Sequence, residues 1–350
     1  MQSLSASIAD YERWMRAWLD GDVVEPDLDK KHELMRESPF LFLRATCWRW
    51  AEAAAVLCPD LADAPAAPSV GDAHVGNFGL WRDARARLVW GINDFDEAAR
   101  LPFTLDLVRL GASILLADKS ADAGDVARAL LQGYRKGLDA PTPWVLERRH
   151  LWLRDAFAAS DSKRKKFWRE LDDAPEATAI ARGLREPLLR ALPDAASGVR
   201  VTPRSVGAGS LGRPRFVASG EHRGGPVAAE IKARLPSCWE RGGTTGLAQH
   251  IAHGRCRAPD SKLHYEHGYV LRRLAPNSRK LNLEELTPQL HARLTRAMGA
   301  ELAAVHVDTD AGRDAIRADL AQRPRRWLRE AAARVADWTA GEHRAYRAGG

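Results

Sequence analysis

Asp72, His74 and Asn77 fall within one short turn-forming stretch, VGDAHVGNFG, and Asp94 and Asp96 lie in a second, NDFDEA. Leu88, Val89, Trp90 and Ile92 between them read as a strand, so two acidic loops are joined by a hairpin. Carboxylates and an amide gathered on loops held by an apolar ribbon suit magnesium-dependent phosphoryl transfer. One carboxylate orients an attacking hydroxyl, while an amide oxygen and a second carboxylate hold hard cations that neutralise phosphate charge.

Asp72-x4-Asn77 has the Asp-to-Asn spacing of the protein-kinase catalytic loop, HRDxxxxN. With His74 two places after the Asp it resembles more closely the HGDxHxxN loop of the aminoglycoside phosphotransferase and choline kinase branch. Asn93-Asp94-Phe95 stands where those families carry a metal-binding Asp, and Pro102 to Leu107 resembles their downstream segment, in which Asp106 would steady the catalytic loop. The run GDAHVGNFG, NDFDEA and PFTLDLVRL also resembles, over most of the chain, a bacterial family catalogued as a domain of unknown function with a kinase-like core.

The elements that must position these residues follow from periodicity. Residues 5–20 read as a helix with Ile8, Tyr11, Trp14, Met15, Trp18 and Leu19 on one stripe. Ser38-Pro39 marks a helix start, and the apolar run from Phe40 to Leu57 is expected as one core helix, with Arg44 inside it either paired to an acid or reaching to water. Pro59 to Pro68 reads as a connector. After Asp106 the pattern is helical, with Val126, Leu130, Leu131 and Tyr134 on a packed face, and residues 143–192 are mainly helical and charged. Lys163 to Lys166, flanked by acids, reads as a solvated helix face rather than a nucleic-acid patch.

From Val199 to Leu235 the chain alternates like a β-meander. It carries Gly207-x-Gly209-Ser210-x-Gly212 and then Lys232 in VAAEIKAR. Arg213-Pro214-Arg215 breaks any helix after the last glycine, which disfavours a dinucleotide-binding turn and favours a hairpin folded over phosphates, with a lysine on a later strand. A partner carboxylate for Lys232 is not identified. Glu240 follows too closely, Glu230 shares its strand face, and Gln249 stands on the next helix.

In an ordinary kinase the glycine loop precedes the catalytic loop; here it follows. Tyr269 to Leu274 reads as a strand leading to a turn, and His291 to Val307 as the helix that would normally run into the catalytic loop. The resemblance therefore implies an α+β, two-lobed, protein-kinase-like fold that is circularly permuted, with a helical catalytic lobe at 1–197, a small β-rich nucleotide-binding lobe at 198–275 and a helical return at 276–350. It implies ATP and Mg2+ as cofactors. Asp72 would accept the acceptor's proton and His74 would contact the acceptor or brace the loop. Asn77 and Asp94 would hold the metal, and Asp96 would be a further ligand or a cap. Gly207, Gly209, Ser210, Gly212 and Lys232 would hold the nucleotide.

Composition narrows the alternatives. The 350 residues can bury a substantial core, 45% apolar with 28% charged is ordinary for a folded chain, and no run is long enough to span a membrane. No signal-peptide pattern opens the chain, so a cytoplasmic setting is expected. Cys47, Cys58, Cys238 and Cys256 have no metal-ligand spacing and read as buried thiols. A net charge of +7 suits an anionic ligand. The leading expectation is a phosphotransferase acting on a hydroxyl of a small molecule. A kinase fold that transfers nucleotidyl groups or only binds nucleotide comes second. A nucleic-acid binder comes last, because the β stretch offers few aromatics.

Overall fold

In the computed structural model, which describes residues 1–241, 246–266, 268–277 and 283–349, the fold is mixed α+β with several sheets. The first apolar stripe forms α1 (Leu4–Trp18), which buries Tyr11 and Met15 while Trp18 stays exposed. Then come α2 (Glu25–Glu37), α3 (Pro39–Ala45) and α4 (Cys47–Leu57). Ser38 caps α3 as expected, its hydroxyl accepting the Leu41 amide at 3.2 Å. The single helix expected from Phe40 to Leu57 is instead broken at Thr46. Its hydroxyl donates to the Phe42 carbonyl at 2.7 Å, and its backbone leaves the helical region at φ −125°.

The expected connector ends as a strand, β1 (Ala66–Ser69), antiparallel to β4 (Ala99–Pro102). Pro68 is tolerated there because β1 has a neighbour on one side only. Between them β2 (Phe78–Arg82) and β3 (Leu88–Ile92) form the hairpin, extended by β5 (Trp144–Val145). The register pairs Phe78 with Ile92, so the two acidic turns meet at one end, where the Asn93 amide donates to the Asn77 carbonyl at 3.1 Å.

Helices α5 (Phe103–Ala117) and α6 (Ala123–Asp139) follow, then α7 (Leu151–Phe157), α8 (Asp161–Asp172) and α9 (Arg185–Arg190). The meander forms β6 (Ser197–Pro203), β7 (Arg215–His222) and β8 (Gly225–Ala233). Helix α10 (Gly246–Ala252) precedes β9 (His264–Glu266) and β10 (Tyr269–Arg273), and these strands make one antiparallel sheet in the order β6-β7-β8-β10-β9. The chain closes with α11 (Pro288–His306), α12 (Asp310–Gln322) and α13 (Trp327–Ala348).

Helix α5 is buried from Phe103 through Ile114 and forms the centre of the largest core. Helices α6 and α11 cross so closely that a Cβ on Gly133 would lie 1.9 Å from the Arg296 carbonyl oxygen. That approach seats the Tyr134 hydroxyl 2.7 Å from His306 Nδ1. The sheet has a core of its own, in which Phe216, Ile231 and Leu271 pack with Leu184, Leu188 and Leu192. The stretch just before β6 therefore packs with the sheet. All four cysteines are free and buried, and the Cys47 and Cys238 sulfurs lie 3.7 Å apart. Among the described residues no helix is long and apolar enough to cross a membrane.

Candidate functional site

Asp106, in the first turn of α5, accepts the amides of Val70 at 2.7 Å and Gly71 at 3.0 Å, and His306 Nε2 lies 3.1 Å from it. These contacts set the shape of the turn that carries Asp72. Gly71 has φ +76°, and a Cβ there would lie 1.9 Å from the Glu97 carbonyl, so no other residue fits. One helical turn beyond Asp106, Arg109 donates through Nε at 2.8 Å and Nη2 at 2.5 Å to Asp72 Oδ1. Its Nη2 also reaches the Leu43 carbonyl at 2.9 Å. Burial nevertheless raises the Asp72 carboxyl to about 6, with Arg109 opposing the rise. Asp72 is thus held by one oxygen, and its other oxygen borders a cavity.

The rest of the turn braces that arrangement. Asn77 Nδ2 donates to the Asp72 carbonyl at 2.8 Å, which turns Oδ1 of the amide away from the bond. His74 Nδ1 accepts the Gly76 amide at 3.0 Å, which assigns the proton to Nε2, 3.8 Å from Asp72 Oδ2. Burial, with Arg44 and Arg109 nearby, keeps the ring neutral. His74 is therefore the cap of its own turn.

On the second turn, the Asp96 amide donates to Asp94 Oδ1 at 3.3 Å, and Asp94 Oδ2 lies 3.6 Å from Lys232 Nζ. Asp96 Oδ2 lies 2.5 Å from the same ammonium and 3.0 Å from Arg213 Nη1. Against burial, Lys232 and Arg213 hold the Asp96 carboxyl well below the usual range. Both cations meet Asp96 through Oδ2, leaving its Oδ1 buried without a partner among the described residues, while Asp94 remains the more exposed carboxylate, with 41% of its side chain accessible. Glu97 completes the group, accepting Arg213 at 3.1 Å and the Cys238 amide at 2.7 Å.

The partner of Lys232 is therefore Asp96, from the acidic turn. Glu230 is occupied by Arg204, Arg215 and Arg272 at 2.7, 3.2 and 2.6 Å. Gln249 on α10 accepts the Tyr265 amide at 2.9 Å, and Glu240 is exposed. Among the described residues no group of three or more His, Cys, Asp or Glu side chains gathers to hold a metal by itself.

The glycine stretch joins β6 to β7, strand to strand. Gly207 and Gly212 have φ +83° and +93°, and a single 3-10 turn, Ala208–Ser210, lies between them. Ser210 Oγ accepts Arg215 at 2.6 Å. A Cβ on Gly209 would lie 3.0 Å from the Arg44 carbonyl and 4.0 Å from Asp72 Oδ2, so the loop covers the turn that carries Asp72. Helix α2 clasps the loop from outside. Lys31 Nζ donates to the Gly209 carbonyl at 3.4 Å, Lys30 to the Ser205 carbonyl at 3.3 Å, and the Val24 amide to the Gly212 carbonyl at 3.0 Å. Lys31 sits over the rings of Tyr11 and Trp48, and burial, with the charge of Arg213, pushes its ammonium down to about 7.

The expected residues thus surround one cavity of about 60 Å³, bordered by Asp72, His74, Asn77, Asp94, Asp96, Gly207, Gly209 and Ser210. Lys232 joins it through Asp96, and Gly212 ends the loop against Leu28. Asn93, next to Asp94 in the chain, lines a second, larger cleft of about 820 Å³ between Leu80 and Ile92 on the hairpin side and Ala228, Arg272 and Asn277 on the sheet side. Sequence reasoning missed Arg109, Arg213 and Lys31. Arg109 could have been found as a lone guanidinium in an otherwise apolar helix; Lys31 has no such signal.

The family described as "Uncharacterized protein conserved in bacteria (DUF2252)" matches residues 24–179. That span holds both acidic turns, Asp106 and Arg109, and it stops before the sheet that carries the glycine loop and Lys232. It is shorter than the resemblance expected over most of the chain. No curated protein and no solved structure matches the chain.

Proposed function

We propose that the protein is an ATP- and magnesium-dependent phosphotransferase of circularly permuted, kinase-like fold, acting on a hydroxyl of a small molecule. The observation that carries this reading is convergence: Asp72, Asn77, Asp94 and the glycine loop, from segments far apart in the chain, border one cavity, and Lys232 is ion-paired at its edge. The sheet supports it. The glycine loop joins its first two strands in chain order, Lys232 stands on the third, and a helix follows. The permutation rests on α11. Its last residue, His306, contacts the Asp106 that holds the catalytic turn, and α11 packs on β1, so that helix and turn are adjacent without being joined in sequence.

In this reading Asp72 orients the acceptor hydroxyl and takes its proton, with Arg109 fixing its rotamer and His74 its turn. Asp94 and the Asn77 Oδ1 would hold magnesium, a set that fits an ion taking one or two protein oxygens plus phosphate oxygens. Magnesium would supply charge neutralisation on the phosphates. Lys232 would pair with the inner phosphates, and the backbone amides of Gly207 to Gly212 would cover them. The base and ribose would occupy the larger cleft. A second reading, binding of nucleotide without transfer, is favoured by one observation: Lys232 pairs with the acidic turn and α10 offers no carboxylate.

Calorimetric titration with ATP, with and without magnesium, tests both on the wild-type chain, Asp94→Asn and Lys232→Ala. Magnesium-dependent binding weakened by both substitutions supports the nucleotide site, and product formation in an acceptor screen then separates transfer from binding. Equal ATP binding by all three folded proteins, or none by the wild type, rules the site out.

A further inference from the structure

Two guanidiniums border the small cavity, and they differ in one respect. The Nε of each is buried without a partner, but Arg213 is bonded through its two terminal nitrogens to Asp96 and Glu97, whereas no side-chain donor of Arg44 has a hydrogen-bond partner among the described residues. A largely buried guanidinium with none of its donors bonded requires an explanation, since the other arginines with an unbonded Nε, Arg213, Arg234 and Arg257, bond through their terminal nitrogens. Arg44 is also fixed in place. Its carbonyl lies under Gly209 of the glycine loop, and its guanidinium carbon would be 3.3 Å from a Cβ on Gly76 of the catalytic turn. The Phe40 ring, 5.8 Å away, closes a further side. Asp72 and Asp94 are near enough to favour its charge, yet neither is bonded to it. The guanidinium is therefore held between the catalytic turn and the loop above it, with its donors free.

We propose, resting on the phosphotransferase reading, that Arg44 donates to the non-bridging oxygens of the phosphoryl group being transferred. Its planar fork matches two phosphate oxygens, and its position on the Asp72 side of the cavity places it at the outermost phosphate, away from the inner ones assigned to Lys232. In the reaction the acceptor oxygen forms a bond to the γ-phosphorus. The bond from that phosphorus to the bridging oxygen breaks, ADP leaves with its electron pair, and the hydroxyl proton passes to Asp72. Arg44 exchanges no proton; it balances the charge spread over the equatorial oxygens, as a guanidinium supplied in cis does in other phosphoryl-transfer enzymes.

The test compares Mg·ATP with Mg·ADP by calorimetry on the wild type, Arg44→Ala and Arg44→Lys, since the two nucleotides differ only in the group Arg44 would touch. Arg44→Ala should lose roughly ten- to hundredfold in ATP affinity while keeping its ADP affinity within about twofold, with Arg44→Lys between. Retained ADP binding shows that each variant is folded, and if Arg44→Ala does not fold, Arg44→Lys carries the comparison. Equal losses for the two nucleotides, or no loss for either, overturn the role of Arg44 and leave the nucleotide site standing. A wild-type chain that binds neither nucleotide overturns the site and this role together.

Discussion

Arg109→Met isolates the interaction that holds the candidate base, and its consequence depends on pH. The substitution keeps volume in a fully buried position but removes two donors from Asp72 Oδ1 and one from the Leu43 carbonyl. Stripping a buried carboxylate of its partner costs about 3 kcal/mol, and the orphaned carbonyl adds about 1 kcal/mol. The carboxylate part applies only while Asp72 is ionised. Burial already raises its carboxyl to about 6, above the value in an unfolded chain, and losing Arg109 raises it further. A group raised on folding opposes stability as pH rises through its folded value and ceases to oppose it below. The variant should therefore lie about 4 kcal/mol below the wild type at pH 8 and only about 1 kcal/mol below it at pH 5. Urea denaturation at both pH values, on the wild type, Arg109→Met, Asp72→Asn and the double variant, measures this. Asp72→Asn in the Arg109→Met background should restore most of the loss at pH 8. A loss that is the same at both pH values, or under about 1 kcal/mol at pH 8, would refute the pairing as the source of the energy.

Asp106→Ala leaves the amides of Val70 and Gly71 and the ring of His306 without their acceptor, and should remove about 2 to 4 kcal/mol, read as a lower thermal midpoint. An unchanged midpoint would mean the turn is held by something else. Gly71→Ala meets both a positive φ and the Glu97 carbonyl and should abolish soluble folded protein, whereas Gly21→Ala, with φ +89° and nothing within 4 Å, should cost only about 1 kcal/mol. Similar losses at the two glycines would sink the steric argument. If Asp72 takes a proton in the reaction, the rate of phosphoryl transfer should fall tenfold per pH unit below about 6. A flat acid limb would assign the proton elsewhere.

What could be read from the chain is what local chemistry dictates. Ser38 before Pro39 announces a cap, and glycines between alternating apolar residues announce a strand, a loop and a strand. Asp72-x4-Asn77 announces a turn, though the bond by which the Asn77 amide braces the Asp72 carbonyl appears only in the fold. The misses depend on partners distant in sequence, Thr46 excepted. Pro68 looked like a connector because its strand becomes visible only when Arg100 pairs with it. Thr46 broke a helix that its apolar neighbours argued for, through a hydroxyl bond that composition does not reveal. The carboxylate that pairs with Lys232 was sought near it in sequence and on the next helix, and Asp96, far upstream, fills that place. The clasp of α2 over the glycine loop had no local signal, since nothing in the sequence around Lys30 and Lys31 points to Ser205 or Gly209.

The pattern of ion pairs explains why so many charges are tolerated in one place. A buried carboxylate is sustainable only when cations and donors match it. Asp72 has Arg109, Asp96 has Lys232 and shares Arg213 with Glu97, and Glu230 has three guanidiniums. Positive charge is therefore in surplus around Glu230, where Arg204 and Arg272 line the larger cleft, and Arg44 stands at the small cavity with no hydrogen-bond partner of its own among the described residues. Asp94 departs from this pattern, since its carboxylate is partly exposed and its nearest cation is 3.6 Å away. A polyanion carrying a divalent cation would satisfy both departures at once, its phosphates taking the surplus guanidiniums and its metal taking Asp94. A neutral ligand could offer Arg44 an acceptor but no opposite charge, and would bring no cation to Asp94. A neutral oxygen would bond Arg44 more weakly than a phosphate oxygen does, which is why affinity should rise with the number of phosphates offered rather than with the area of the base.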